Sequence, residues 1–125
     1  MITLDYQSRV PIYRQIEDRI LELILLGVYP ADTQLPSVRT LAVDLGINPN
    51  TIQKAYQELE SEGIIYTVTG KGSFVKGVGE ARSQLQNKAA HSVESALKEA
   101  HRANLPASAI RRMVDEEYGE VKHHD

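Results

Sequence analysis

No stretch restricts the fold of this chain more than residues 35–62, LPSVRTLAVDLGINPNTIQKAYQELESE. Asn48 followed by Pro49 is the combination that starts a helix sharply, an N-cap and then a residue whose φ is already helical. From there Ile52, Ala55, Tyr56 and Leu59 fall at i, i+3, i+4 and i+7, a single apolar stripe. Asn50, Thr51, Gln53, Lys54 and Gln57 are left off it. Upstream, Ser37 caps a helix whose Val38, Leu41, Ala42 and Leu45 repeat the spacing, and Gly46 closes it. Two short helices joined by a Gly-containing turn make either an ordinary helical hairpin or a helix-turn-helix whose second helix can enter a major groove.

The residues after Glu62 favour the second option. Glu62-Gly63 ends the second helix, IIYTV (64–68) reads as a strand, Thr69-Gly70-Lys71-Gly72 as a turn, and SFV (73–75) as the return strand. A β-ribbon directly after a helix-turn-helix is a winged helix. Thr33-Gln34-Leu35 can add a short third strand against the wing. The GKGS run does not complete a phosphate-binding loop, since Ile65 stands where a glycine is needed and Gly72 where Ser or Thr is needed.

PIYRQI (11–16), LPSVRTLA (35–42), INPNTIQKAYQELESEGII (47–65) and GKGSFV (70–75) resemble the GntR family of bacterial transcriptional regulators. The resemblance covers about residues 5–77. The short C-terminal remainder resembles the YtrA subfamily in length and helical character. The resemblance implies a DNA-binding regulator, and an arginine at the position of Arg39 in the LPSxR motif that contacts DNA. It also implies regulated genes that often encode an ATP-driven transporter. One departure stands out. Relatives with arginines in the second helix read guanine with them, whereas residues 49–53 here contain none.

The residue chemistry suits the same role. Asn50 and Gln53 each carry an amide donor and acceptor that can pair with an adenine edge, and Thr51 can bond a phosphate or lay its methyl on thymine. Lys54 suits a phosphate. At the wing, Gly70 and Gly72 permit backbone conformations closed to other residues and so a close approach of Lys71 to DNA, to enter a minor groove or hold a phosphate. The alternative is a hairpin turn that simply carries a lysine. The expected DNA-binding set is Ser37, Arg39, Asn48, Asn50, Thr51, Gln53 and Lys54, with Thr69, Gly70, Lys71 and Gly72 from the wing. The alternative for Arg39 is a surface ion pair with Asp44 or an acid of the first helix. Tyr56 has a hydroxyl that can reach a phosphate, but its stripe position favours the core.

A formal charge of −3 runs against the basic balance usual in nucleic-acid binders. Distribution resolves the conflict. Glu58, Glu60 and Glu62 lie in the C-terminal half of the second helix, so a helix docking by its N-terminus brings neutral donors and its positive dipole end to DNA.

Ahead of this region, residues 1–10 read as an arm. Pro11 opens a first helix with Tyr13, Ile16, Ile20, Leu23 and Ile24 inward, ended by Gly27, with Arg14 and Arg19 on its solvated face. After Gly77-Val78-Gly79, which marks a domain boundary, a helix from about 80 to 103 carries Leu85, Ala89, Val93, Ala96, Leu97 and Ala100 on one side. A shorter one carries Ile110, Met113 and Val114. Such narrow stripes need a partner, and a second copy is the simplest. The expected interface is Leu85, Ala89, Val93, Ala96, Leu97, Ile110, Met113 and Val114, and the alternative is folding back on the winged domain. Residues 120–125 read as a frayed tail.

The fold class expected is α+β, mainly α. An N-terminal winged helix-turn-helix domain (1–77) is followed by a two-helix dimerisation region (78–125). With no cysteine, disulfides and thiolate metal sites are excluded. His91 and His101 are too far apart along a helix to share an ion, and His123-His124-Asp125 belongs to the tail, so no metal or cofactor is expected. The N-terminus is too polar for a signal peptide and no apolar run reaches membrane length. The reading is a cytoplasmic, non-enzymatic homodimer, a repressor on a two-fold-symmetric duplex operator, with weak or no small-molecule control by the usual family route and the effector left open. Two alternatives remain: a ligand-responsive sensor with a small apolar site at the dimer interface, and a winged-helix protein-interaction module that does not bind DNA.

Overall fold

In the computed structural model, which describes residues 2–119, the element order is α1 (Ile12–Leu25), α2 (Val38–Leu45), α3 (Pro49–Ser61), β1 (Ile65–Val68), β2 (Gly72–Val75), α4 (Val78–Arg102) and α5 (Ala107–Tyr118). The mainly helical α+β architecture with its winged helix is the one expected. The tail at 120–125, with His123, His124 and Asp125, lies outside the described residues.

Two compact units divide the chain, Met1–Gln86 and Asn87–Asp125. The division falls after Gln86 rather than after Gly77, because Val78 and Gly79 are already helical and Ala81 is fully buried in the core of the first unit. The glycines at 77 and 79 therefore mark the entry of α4, not the end of the packed domain.

Within the first unit, α3 is central: α1, α2 and β1 all pack on it. The caps form as the sequence predicts. Ser37 Oγ accepts from Thr40 N–H, Gly46 closes α2 in the left-handed region, and Asn48 accepts from Asn50 N–H with Pro49 inside the first turn. The stripe Ile52, Ala55, Tyr56 and Leu59 is buried in one cluster with Ile16, Ile20 and Ile24 of α1, with Ile64, and with Ile65 and Val75 of the ribbon. Each fully buried aliphatic side chain of this kind contributes about 1.5–3 kcal/mol relative to exposure. Leu21 and Glu17 of α1 are buried as well, which the expected stripe did not include.

One expectation for an irregular segment is corrected, and a second gains detail. The third strand is reduced to one bridge, Gln34 opposite Phe74, flanked by Leu35 N–H to Ser73 O at 2.8 Å and Val75 N–H to Thr33 O at 2.9 Å. Pro36 lacks an N–H and Ser37 already caps α2, so the ladder cannot lengthen. The N-terminal arm is fastened. Gln15 Oε1 accepts from Asp5 N–H (2.8 Å), and its Nε2 donates to the carbonyls of Asp5 and Val10 (2.9 Å each). Ile2 and Leu4 pack on the core.

Tyr56 joins the core to the helix-turn-helix geometry. Only 4% exposed, it donates its hydroxyl to Pro36 O at 2.7 Å and ties α3 to the entry of α2. Burial raises its phenol well above the ordinary tyrosine range. A folded pKa above the unfolded value of about 10 gives stability that is fully present below pH 10 and lost as pH rises beyond it. Tyr56→Phe is therefore expected to cost about 1 kcal/mol at neutral pH. The same variant should flatten the alkaline fall in stability, checked by denaturant titration at pH 7 and above pH 10.

The second unit holds the rest of α4, and α5. Asn104 takes the left-handed conformation (φ 62°) and Leu105 N–H reaches back to Ala100 O at 3.0 Å, a Schellman-type stop. Pro106 then starts α5. No residue of α5 is buried, and in α4 Ala81 alone is.

Candidate nucleic-acid interface

The sequence of α3 separates its two sides cleanly. With the stripe turned to the core, the side chains of Asn50, Gln53, Lys54 and Gln57 are exposed and Thr51 is half-buried. The first turn contains no acid, so no carboxylate of its own offsets the positive dipole end of the helix, although the N–H of Asn50 is already used by the Asn48 cap.

Not every expected residue is equally available. The Asn48 carboxamide oxygen accepts from Asn50 N–H at 2.8 Å, so part of its acceptor capacity is already used by the cap. Ser37 Oγ accepts from Thr40 N–H (3.0 Å) and donates to Thr40 Oγ1 (2.9 Å), so it serves the cap of α2. Lys54 Nζ lies 4.1 Å from the centroid of the Tyr13 ring, a cation–π contact that joins α3 to α1. Arg39, in the first turn of α2, is exposed. Among the described residues no acid pairs with it, the surface ion pair to Asp44 included.

The wing is an antiparallel ribbon of four residue pairs, with the register Ile65↔Val75, Tyr66↔Phe74, Thr67↔Ser73 and Val68↔Gly72. Its tip presents Thr69, Gly70, Lys71 and Gly72, all exposed. Tyr66 and Phe74 stack on one face with centroids 5.5 Å apart, and Tyr66 OH donates to Asp32 Oδ1 at 2.8 Å. That bond raises the Tyr66 phenol. Gln34 Nε2 donates to Lys71 O at 2.7 Å. Sequence reasoning singled out neither Gln34 nor the Tyr13–Lys54 pair. Each joins segments far apart in the chain, and no periodicity reports such a contact.

The apolar residues expected at an interface divide between the two units. Leu85 belongs to the first, where with Leu21 and Leu25 it lines a shallow cleft of about 370 Å³. Val93, Ala96 and Leu97 of α4 and Ile110, Met113 and Val114 of α5 come together in the second, around an apolar cleft of about 290 Å³. Ala89 is exposed on α4.

Comparisons with known proteins agree with this geometry. The family of bacterial regulatory proteins called gntR matches residues 12–75. The HTH-type transcriptional repressor YtrA of Bacillus subtilis (strain 168) is 37% identical over 126 residues, covering 98% of this chain and 95% of its own. Among solved structures, a GntR family transcriptional regulator from Listeria monocytogenes superposes with a TM-score of 0.68 at 35% identity, covering 90% of this chain and 98% of that one. The DNA-binding domain of AraR, in complex with its operator ORR3, matches 58% of this chain and 88% of its own at 33% identity and a TM-score of 0.52.

Proposed function

Since the chain belongs to the GntR family of bacterial regulatory proteins, whose members here are regulators and not enzymes, we propose that it is a cytoplasmic homodimeric repressor that grips a two-fold-symmetric operator. The observation that carries the reading is the acid-free first turn of α3, with the exposed amides of Asn50 and Gln53 and, nearby in sequence, Arg39, exposed and paired with no acid among the described residues. In this reading α3 lies in the major groove, Asn50 and Gln53 read base edges, and Thr51, Arg39 and Lys71 hold phosphates. Lys54, engaged over Tyr13, adds charge and secures α3 on α1. Ser37 and Asn48 act through the caps that aim the two helices. AraR, a relative held on its operator, supports duplex DNA as the partner. A regulated operon encoding an ATP-driven transporter rests on the YtrA-like resemblance alone.

The α4–α5 cleft supports dimerisation over small-molecule sensing. Its volume of about 290 Å³ falls at the lower edge of ligand pockets, and Val93, Met113 and Val114 on its walls are each about half exposed. Open apolar walls of this kind suit a partner helix.

Binding to duplex DNA at graded salt tests the reading. Arg39→Ala and Lys71→Ala should weaken operator and mixed-sequence duplex alike. Each should flatten the salt dependence of log K by about one unit for every phosphate no longer neutralised, hence roughly two in a dimer. Unchanged slopes in both variants would take these residues out of the interface. A wild-type protein with no salt-dependent affinity for DNA would leave the protein-interaction reading instead.

A further inference from the structure

Lys71 is held from both sides. Its N–H donates to Val68 O at 2.9 Å, closing the wing turn, and its carbonyl accepts from Gln34 Nε2 at 2.7 Å. The backbone of Gln34 is itself registered opposite Phe74, so its side chain runs along β2 toward the tip. A second observation marks the same contact. A Cβ added at Gly72 would stand 2.7 Å from Gln34 Nε2, so the amide of Gln34 occupies the space that a side chain at 72 would take. Gly72 also has φ 126°, which strains any other residue.

We infer that Gln34 is a positioning residue for DNA binding, setting the wing tip so that Lys71 meets a phosphate without a search. The inference rests on the assignment of Lys71 as a DNA contact. A flexible lysine loses conformational freedom when it binds, and fixing its root in advance lowers that cost. Gln34 also joins the tip to the segment that enters α2, because Leu35 N–H donates to Ser73 O and Pro36 O receives the Tyr56 hydroxyl. The wing lysine and the start of α2 are thereby set in one frame.

The test is a double-mutant cycle on the full chain with a mixed-sequence duplex, which reads phosphate contacts without knowledge of the operator. Gln34→Met keeps the stem, removes the donor and leaves the charge unchanged. It should weaken binding about two- to tenfold, the range of one net hydrogen bond. In a Lys71→Ala background the same substitution should change nothing. Thermal unfolding confirms that each variant is folded at the assay temperature. A full Gln34→Met loss persisting without Lys71, or no loss from Gln34→Met alone, overturns the inference while leaving Lys71 as a contact. Unaltered duplex affinity in Lys71→Ala removes the contact itself, and the inference with it.

Discussion

A glutamate at Val93 is expected to leave the protein monomeric at micromolar concentration. Its affinity for a full operator should then fall by about 10²–10⁴, to little more than that for a half-site. The size of the effect comes from geometry, with every base contact within a half-site retained. In the proposed dimer two α3 helices would reach half-sites one helical turn or a multiple of it apart, roughly 34–36 Å per turn, so the second contact would be intramolecular. Val93 is 57% exposed and faces the α4–α5 cleft with Leu97, Met113 and Val114. In the isolated chain a carboxylate there stays hydrated, so the fold is spared. In the proposed dimer it would be buried without a partner. Sedimentation of both proteins and titration of full and half operators provide the check. A wild-type protein that is monomeric at micromolar concentration ends the proposal.

The second large effect is expected at the base edges. Asn50→Ala and Gln53→Ala should each cost about 1–3 kcal/mol per half-site on the operator while affinity for mixed-sequence duplex barely moves. The contrast is what identifies readout. The cap of α3 uses the backbone N–H of Asn50 and the side chain of Asn48, so removing the Asn50 side chain leaves the helix start intact. Equal losses on both DNAs would mean that the residue only seats the helix. Fragments selected from genomic DNA by the purified protein supply the operator for this experiment.

These residues are readable from the sequence because the signals that locate them are local. Asn48-Pro49 starts α3, the stripe from Ile52 to Leu59 turns one side inward, and the remaining side chains face outward by elimination. The wing is marked by a glycine-flanked turn between two short apolar runs. Features that depend on contacts across the chain are not legible in this way. Gln34 reaches Lys71 and Tyr66 reaches Asp32, and no spacing rule links such positions. Lys54 illustrates the limit well. Its place off the apolar stripe is legible, but the Tyr13 ring beneath its ammonium is not. The domain boundary falls later than expected because glycine marks where a helix can begin, and says nothing about how far its first turns stay packed in the preceding core.

The Lys54–Tyr13 contact has an optical consequence. The chain has no tryptophan and six tyrosines, so its near-ultraviolet emission is tyrosine emission. One of those fluorophores, Tyr13, lies directly under a cation carried by α3. Any duplex that draws the ammonium toward a phosphate uncovers the ring and alters its surroundings. Comparison with Tyr13→Phe isolates that single ring from the other five. Where a duplex draws the ammonium away, the Tyr13 ring on α1 is a built-in reporter of the approach of α3 to DNA, read by light with no dye attached to either partner.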